Sequence, residues 1–119
     1  MQNNKEIGRD KERIAAKYLS EHGMKVRECN FYTRTGEIDI IGYDEGYLVF
    51  AEVKYRSSEK KGSPFDAVDL RKQKKICRAA EYYMYLHHLP SDTPVRYDVI
   101  GISGSEITWI KNAFEHCCI

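Results

Sequence analysis

Gly36-Glu37-Ile38-Asp39-Ile40-Ile41 and Phe50-Ala51-Glu52-Val53-Lys54 decide how this chain is read. Each is an apolar run with the period of a buried strand, and each carries charge in its middle. Buried charge is costly unless it is paired or bound to a metal. Between the runs lies Asp44-Glu45-Gly46, a hairpin turn signal with glycine in place. A two-residue loop at Glu45-Gly46 sets Ile41 opposite Phe50, Asp39 opposite Glu52 and Glu37 opposite Lys54. Opposed residues share a side of the sheet, and Glu52 and Lys54 share one by the period of two. Two carboxylates and a lysine then converge, while Ile38, Ile40, Ala51 and Val53 form a core face. A three-residue loop would pair Asp39 with Ala51 and need a bulge to restore the convergence.

Outward from the hairpin, the chain reads as α-β-β-β-α-β-β. Gly8 to about His22 is helical, with Ile14, Ala15, Tyr18 and Leu19 as its apolar stripe and Gly23 beyond its end. Strands are expected over Lys25–Tyr32, Gly36–Tyr43 and Tyr47–Tyr55. Ser63-Pro64-Phe65-Asp66 is a helix start, and the second helix is expected to run to about His88. Its apolar positions are Phe65, Val68, Ile76, Ala79, Ala80, Tyr83 and Leu86. Val95–Ile102 and Ile107–Ile110 complete a mixed α/β sheet of about five strands flanked by helices. The 119 residues make a single domain, with 1–7 and 115–119 as frayed ends.

Net charge is only +1, so global charge gives no argument for a nucleic-acid partner. The distribution does. Residues 54–78 hold nine Lys/Arg against three Asp/Glu, and a phosphate backbone senses local charge. Arg71, Lys72, Lys74, Lys75 and Arg78 fall on the second helix, with Arg56, Lys60 and Lys61 before it. Together they can follow a phosphate backbone or form a solvated face, and Lys72 is expected nearest the carboxylates. Arg34 is a further phosphate contact. Tyr82, Tyr83 and Tyr85 are read as core and helix-surface residues rather than base platforms. The four cysteines and four histidines fit no standard metal spacing. No signal or membrane-length segment appears, so a reducing cytoplasm and no membrane contact are expected.

Five ordered motifs carry a resemblance across most of the chain. They are Gly8-x3-Glu12-x2-Ala15-x2-Tyr18-Leu19, Thr35 to Ile41, Leu48 to Arg56, Ala67-Val68-Asp69-x2-Lys72, and Arg96 to Ile100. Together they resemble the YraN-like family of bacterial proteins, which is itself similar to Holliday-junction resolvases. The resemblance implies a restriction-endonuclease-like fold with a PD-(D/E)XK site and a Mg2+- or Mn2+-dependent DNA endonuclease activity. It implies that Asp39, Glu52 and Lys54 are catalytic and that Asp39, Glu52 and Glu12 hold the metal. Ile38 stands where the motif name has proline. DNA contacts are expected from Arg34, Arg56, Lys72, Lys74, Lys75 and Arg78, with recognition by shape because no element offers base-edge readout. Resolvases act as dimers on the two symmetric strands of a junction, so a homodimer is expected, although no dimer surface stands out. A nucleic-acid-binding or adaptor protein without turnover would use the same fold, and a structural ion pair would use the same charges.

Overall fold

The computed structural model describes residues 4–56 and 68–117, with side chains from Gly8 to Tyr55 and from Val68 to Cys117. The elements are α1 (Asn4–Glu21), β1 (Lys25–Tyr32), β2 (Glu37–Asp44), β3 (Tyr47–Arg56), α2 (Leu70–Leu86), β4 (Val95–Ser103) and β5 (Glu106–Phe114). The element order is the one expected. The five strands form one mixed sheet in the order β1-β2-β3-β4-β5, with β3 and β4 parallel and every other neighbour antiparallel.

The hairpin forms as read. Glu45 and Gly46 both have positive φ, 54° and 85°, the backbone of a two-residue turn that suits the twist of its strands. Ile41 pairs with Phe50 and Ile40 with Ala51. There the β2–β3 ladder stops, so Asp39–Glu52 and Glu37–Lys54 are not ladder pairs. The core face is also not continuous. Ile40, Ala51 and Val53 pack with Ala15 and Leu19 of α1, whereas Ile38 joins Phe31, Ile41 and Phe50 in the core with α2. Ile38 and Ile40 are two residues apart yet serve different cores, so strand alternation breaks at Asp39. On β1 the register places Asn30 opposite Asp39, and Asn30 has a φ of 58°. A left-handed residue re-aims a strand in this way.

Helix α1 buries Ala15 and Leu19, both fully, on one i, i+4 line. Ile14, expected in that stripe, is 41% exposed. At its end Met24 N–H donates to the Leu19 carbonyl at 2.9 Å and Gly23 has a φ of 109°, a glycine-terminated helix end. Helix α2 begins at Leu70 rather than near Ser63. Asp69 is extended and its carboxylate accepts from Lys72 N–H at 2.9 Å, so it is the cap. The expected start at 63–66, with Phe65, lies outside the described residues. Ile76, Cys77, Ala79, Ala80 and Tyr83 are buried, while Leu86 is exposed. Strand β5 extends to Phe114, four residues past the expected end. At the carboxyl end His116 Nδ1 lies 2.6 Å from the Tyr97 hydroxyl, and Cys117 packs against the α2 core. No helix among the described residues is long and apolar enough to cross a membrane.

One buried charge network was not legible in the sequence. Asp98 is fully buried at the centre of β4. It accepts from Arg96 Nη2 at 2.8 Å, Trp109 Nε1 at 2.8 Å and the Asn112 N–H at 2.9 Å. Arg96 also reaches Asp44 at 2.7 Å, and Lys111 lies 3.1 Å from Asp44. Asn112 adopts φ 57° to aim its amide inward.

Candidate functional site

The broken ladder beyond Ile40 leaves a gap, and Asp39 fills it. Its Oδ2 accepts from the Val53 N–H at 2.8 Å, so the side chain replaces a missing backbone partner. Asp39 is only 7% exposed. Glu52 follows on the strand beyond that gap, with its side chain 14% exposed and Oε2 3.5 Å from Lys72 Nζ. Glu12 comes in from α1, in hydrogen-bond contact with Asp39 and Asn30. The αL turn at Asn30 thus serves the site as well as the strand.

These carboxyl groups disfavour one another's ionisation. Burial, then the charge of Glu52, pushes Asp39 up to about 7, against the opposing Val53 hydrogen bond. Burial, then Asp39, pushes Glu12 up to about 7 as well. Burial raises Glu52 too, although Lys72 opposes it and a hydrogen bond from Asp39 lowers it. Asp39 and Glu52 therefore titrate as a pair, the charge on one disfavouring the charge on the other. Glu37 adds further negative field to all three.

Asp39, Glu52 and Glu12 are thus brought together from β2, β3 and α1. Lys54 is half-buried on β3, on the side of the strand that Glu52 shares by alternation. Lys72 stands at the carboxylates, as expected of it, but its partner here is Glu52 rather than an open surface. Among the described residues no three His, Cys, Asp or Glu side chains already form a ligand set for a metal ion. The donors nevertheless suit a hard cation: they are oxygens, and Mg2+ needs only one or two carboxylates beside its waters.

The basic residues lie on an adjoining surface. Arg34, Thr35, Arg71, Lys74, Lys75 and Arg78 line a hollow of about 490 Å³ between the β1–β2 turn and α2. None of these five cations pairs with a described carboxylate. Gly36 holds turn and helix together: a Cβ there would stand 3.1 Å from Lys75 Cβ and 3.3 Å from its carbonyl oxygen. The Arg56 side chain and Lys60 and Lys61 lie outside the described residues. Sequence reasoning placed Glu37 on the site face but missed Asn30. An asparagine opposite the motif aspartate was the available signal.

Comparison with known proteins fits the extent of this architecture. Residues 11–102 match the family described as "Uncharacterised protein family UPF0102". The chain is 47% identical over 113 residues to a UPF0102 protein of Lachnoclostridium phytofermentans, covering 95% of this chain and 96% of that one. It is 39% identical over 115 residues to a UPF0102 protein of Legionella pneumophila, covering 95% and 98%. It is 44% identical over 114 residues to one of Clostridioides difficile, covering 94% and 99%. With Glu12, the carboxylate hairpin and α2 all inside the matched span, this chain belongs to the UPF0102 family, the YraN-like bacterial proteins.

Proposed function

We propose that this chain is a divalent-cation-dependent DNA endonuclease of the PD-(D/E)XK type, with a restriction-endonuclease-like fold, acting on branched or otherwise distorted DNA. The observation that carries the reading is an imbalance of charge. Asp39 and Glu52 influence one another under burial, Glu12 adjoins Asp39, Lys72 is the cation on Glu52, and Asp39 and Glu12 are pushed up to about 7. A matched structural ion pair would hold its carboxyls low, whereas Asp39, Glu12 and Glu52 are all raised.

Asp39 and Glu52 would hold Mg2+ or Mn2+, with Glu12 holding a water of the ion. Such an ion neutralises phosphate oxygens and acidifies bound water. Lys54 would stabilise charge that builds on the phosphate, and Val53 N–H keeps Asp39 oriented. Arg34, Lys74, Lys75 and Arg78 would hold flanking phosphates, which position a backbone without reading sequence. Two copies would present two sites to the symmetric strands of a junction.

A cleavage assay on duplex, single-stranded, flap and four-way-junction DNA, with Mg2+ or Mn2+, tests this reading. Expected is cleavage of a structured DNA that disappears in Asp39→Asn and Glu52→Gln while binding survives. One observation favours a second reading, a DNA-binding protein without turnover: Lys72 already sits on Glu52, and no ready-made ligand set is present among the described residues. Binding of DNA without cleavage under any of these conditions would select it.

A further inference from the structure

The basic hollow does not end at its cations. A second hollow of about 580 Å³, lined by Tyr32, Thr33, Arg34, Thr35, Arg78 and Tyr82, shares Arg34, Thr35 and Arg78 with the first. The two form one groove, cationic toward the start of α2 and aromatic toward its end. Tyr32 is 66% exposed, Tyr82 48% and Tyr85 75%. Large exposed rings grouped in this way are not needed by a core, and the buried member of the trio, Tyr83, already fills that role.

The rings are also held. Tyr82 stacks on Tyr85 with centroids 6.5 Å apart and planes at 23°, and Phe31 backs Tyr82 from the core at 6.4 Å. The floor of the groove is fixed because Thr33 Oγ1 donates to the Gly36 carbonyl at 2.7 Å and accepts from the Gly36 N–H at 3.1 Å. Glu37 and Asp39 follow on β2 within three residues of Gly36.

We infer that this groove binds an unpaired nucleic-acid strand, with phosphates on Arg34, Lys74, Lys75 and Arg78 and bases stacked at Tyr32 and Tyr82. Five cations that pair with no described carboxylate make a surface that favours a polyanion. A duplex keeps its base faces stacked inside and gives tyrosine rings nothing to face, whereas an unpaired strand offers a π-face at every base. The size of the aromatic hollow falls in the range of small-ligand pockets, enough for a splayed base. The inference rests on the nucleic-acid part of the function proposed above and is independent of turnover. It names the feature of a structured substrate that the protein engages, its unpaired arm.

The test is fluorescence anisotropy on the full chain in EDTA, so that cleavage plays no part. The probes are labelled oligothymidylate and oligouridylate of about 20 nucleotides and a duplex of the same length. The wild type is expected to bind a single strand more tightly than the duplex. The better of the two single strands names the backbone. Tyr32→Ala with Tyr82→Ala should weaken single-strand binding by about tenfold or more, leave duplex binding within about twofold, and leave the melting temperature unchanged. Tyr82→Phe, which keeps the ring, should bind as wild type. An alanine pair that binds single strand normally, or that loses duplex and single strand equally, overturns the inference, as does failure to bind any of the three probes. Single-strand preference without cleavage leaves the inference standing and removes only the nuclease reading.

Discussion

Two clusters of buried charge share this sheet, and they are built to opposite rules. Around Asp98 each acid meets a donor: Arg96 and Lys111 are shared among Asp98, Asp44 and the exposed Glu45, and Trp109 and Asn112 supply N–H groups. Burial acts to raise Asp44, but hydrogen bonds from Arg96 and Lys111 overcome it and hold the carboxyl below its usual range. Around Asp39 the donors do not offset burial and like charge. Burial and Glu52 raise Asp39 to about 7. The first cluster is complete in itself and ties the β2–β3 turn to β4 and β5. The second leaves its carboxyls raised, a state that a bound cation would relieve.

The largest expected effect comes from breaking the complete cluster. Arg96→Met leaves the fully buried Asp98 without its cation, and should cost about 3–5 kcal/mol of folding free energy in urea titrations. A loss below about 1 kcal/mol would mean that the network is not matched as described.

The second cluster should respond with the opposite sign. A carboxyl whose folded pKa lies above its unfolded value stabilises the fold below the unfolded value, and that contribution is lost as pH rises through the folded one. For Asp39 the window runs from 3.8 to about 7. Metal-free protein should therefore lose stability across that window. Asp39→Asn, which keeps an acceptor for Val53 N–H, should be more stable than wild type by about 1–3 kcal/mol at pH 8. That gain should vanish near pH 4. Thermal unfolding followed across pH checks both statements, and a pH-independent loss in Asp39→Asn would make the second cluster structural like the first.

A smaller effect is expected where the β1–β2 turn meets α2. Gly36→Ala pushes a methyl group against the Lys75 backbone and should cost about 1–2 kcal/mol, measured by thermal unfolding. Smallest for the fold is Lys74→Gln with Lys75→Gln. Both side chains are exposed on α2, so stability should hold, while the slope of log affinity against log salt for duplex DNA falls by about 0.9 per lost phosphate contact. An unchanged slope would place any DNA elsewhere.

The contrast between clusters also separates what the sequence carried from what it hid. Local rules set β1 at Lys25–Tyr32 and the Glu45–Gly46 turn, because alternation and turn chemistry lie within a few residues of each other. The pairing of Ile41 with Phe50 followed from that turn, and with it the approach of Asp39 to Glu52. The break in alternation at Asp39 was not legible, since it depends on Asn30 across the neighbouring strand. Nor was the Arg96–Asp44 contact, whose partners lie 52 positions apart. The start of α2 was not legible at Asp69, whose carboxylate accepts the Lys72 amide, because Ser63-Pro64 carries the stronger sequence signal for a cap. Ile14 has the spacing of a core residue, but the sheet meets α1 along Ala15 and Leu19 instead.

The central claim is that the Asp39 cluster takes up a divalent cation, and calorimetric titration of the metal-free protein with Mn2+ tests it most directly. Carboxyl groups raised to about 7 must release protons to bind the ion, so near pH 6.5 the binding heat should vary with the ionisation enthalpy of the buffer. The account predicts one bound ion per chain, protons released on binding, and loss of both in Asp39→Asn and Glu52→Ala variants that remain folded. Absence of Mn2+ binding to the wild type, or binding that persists unchanged in both variants, would contradict it.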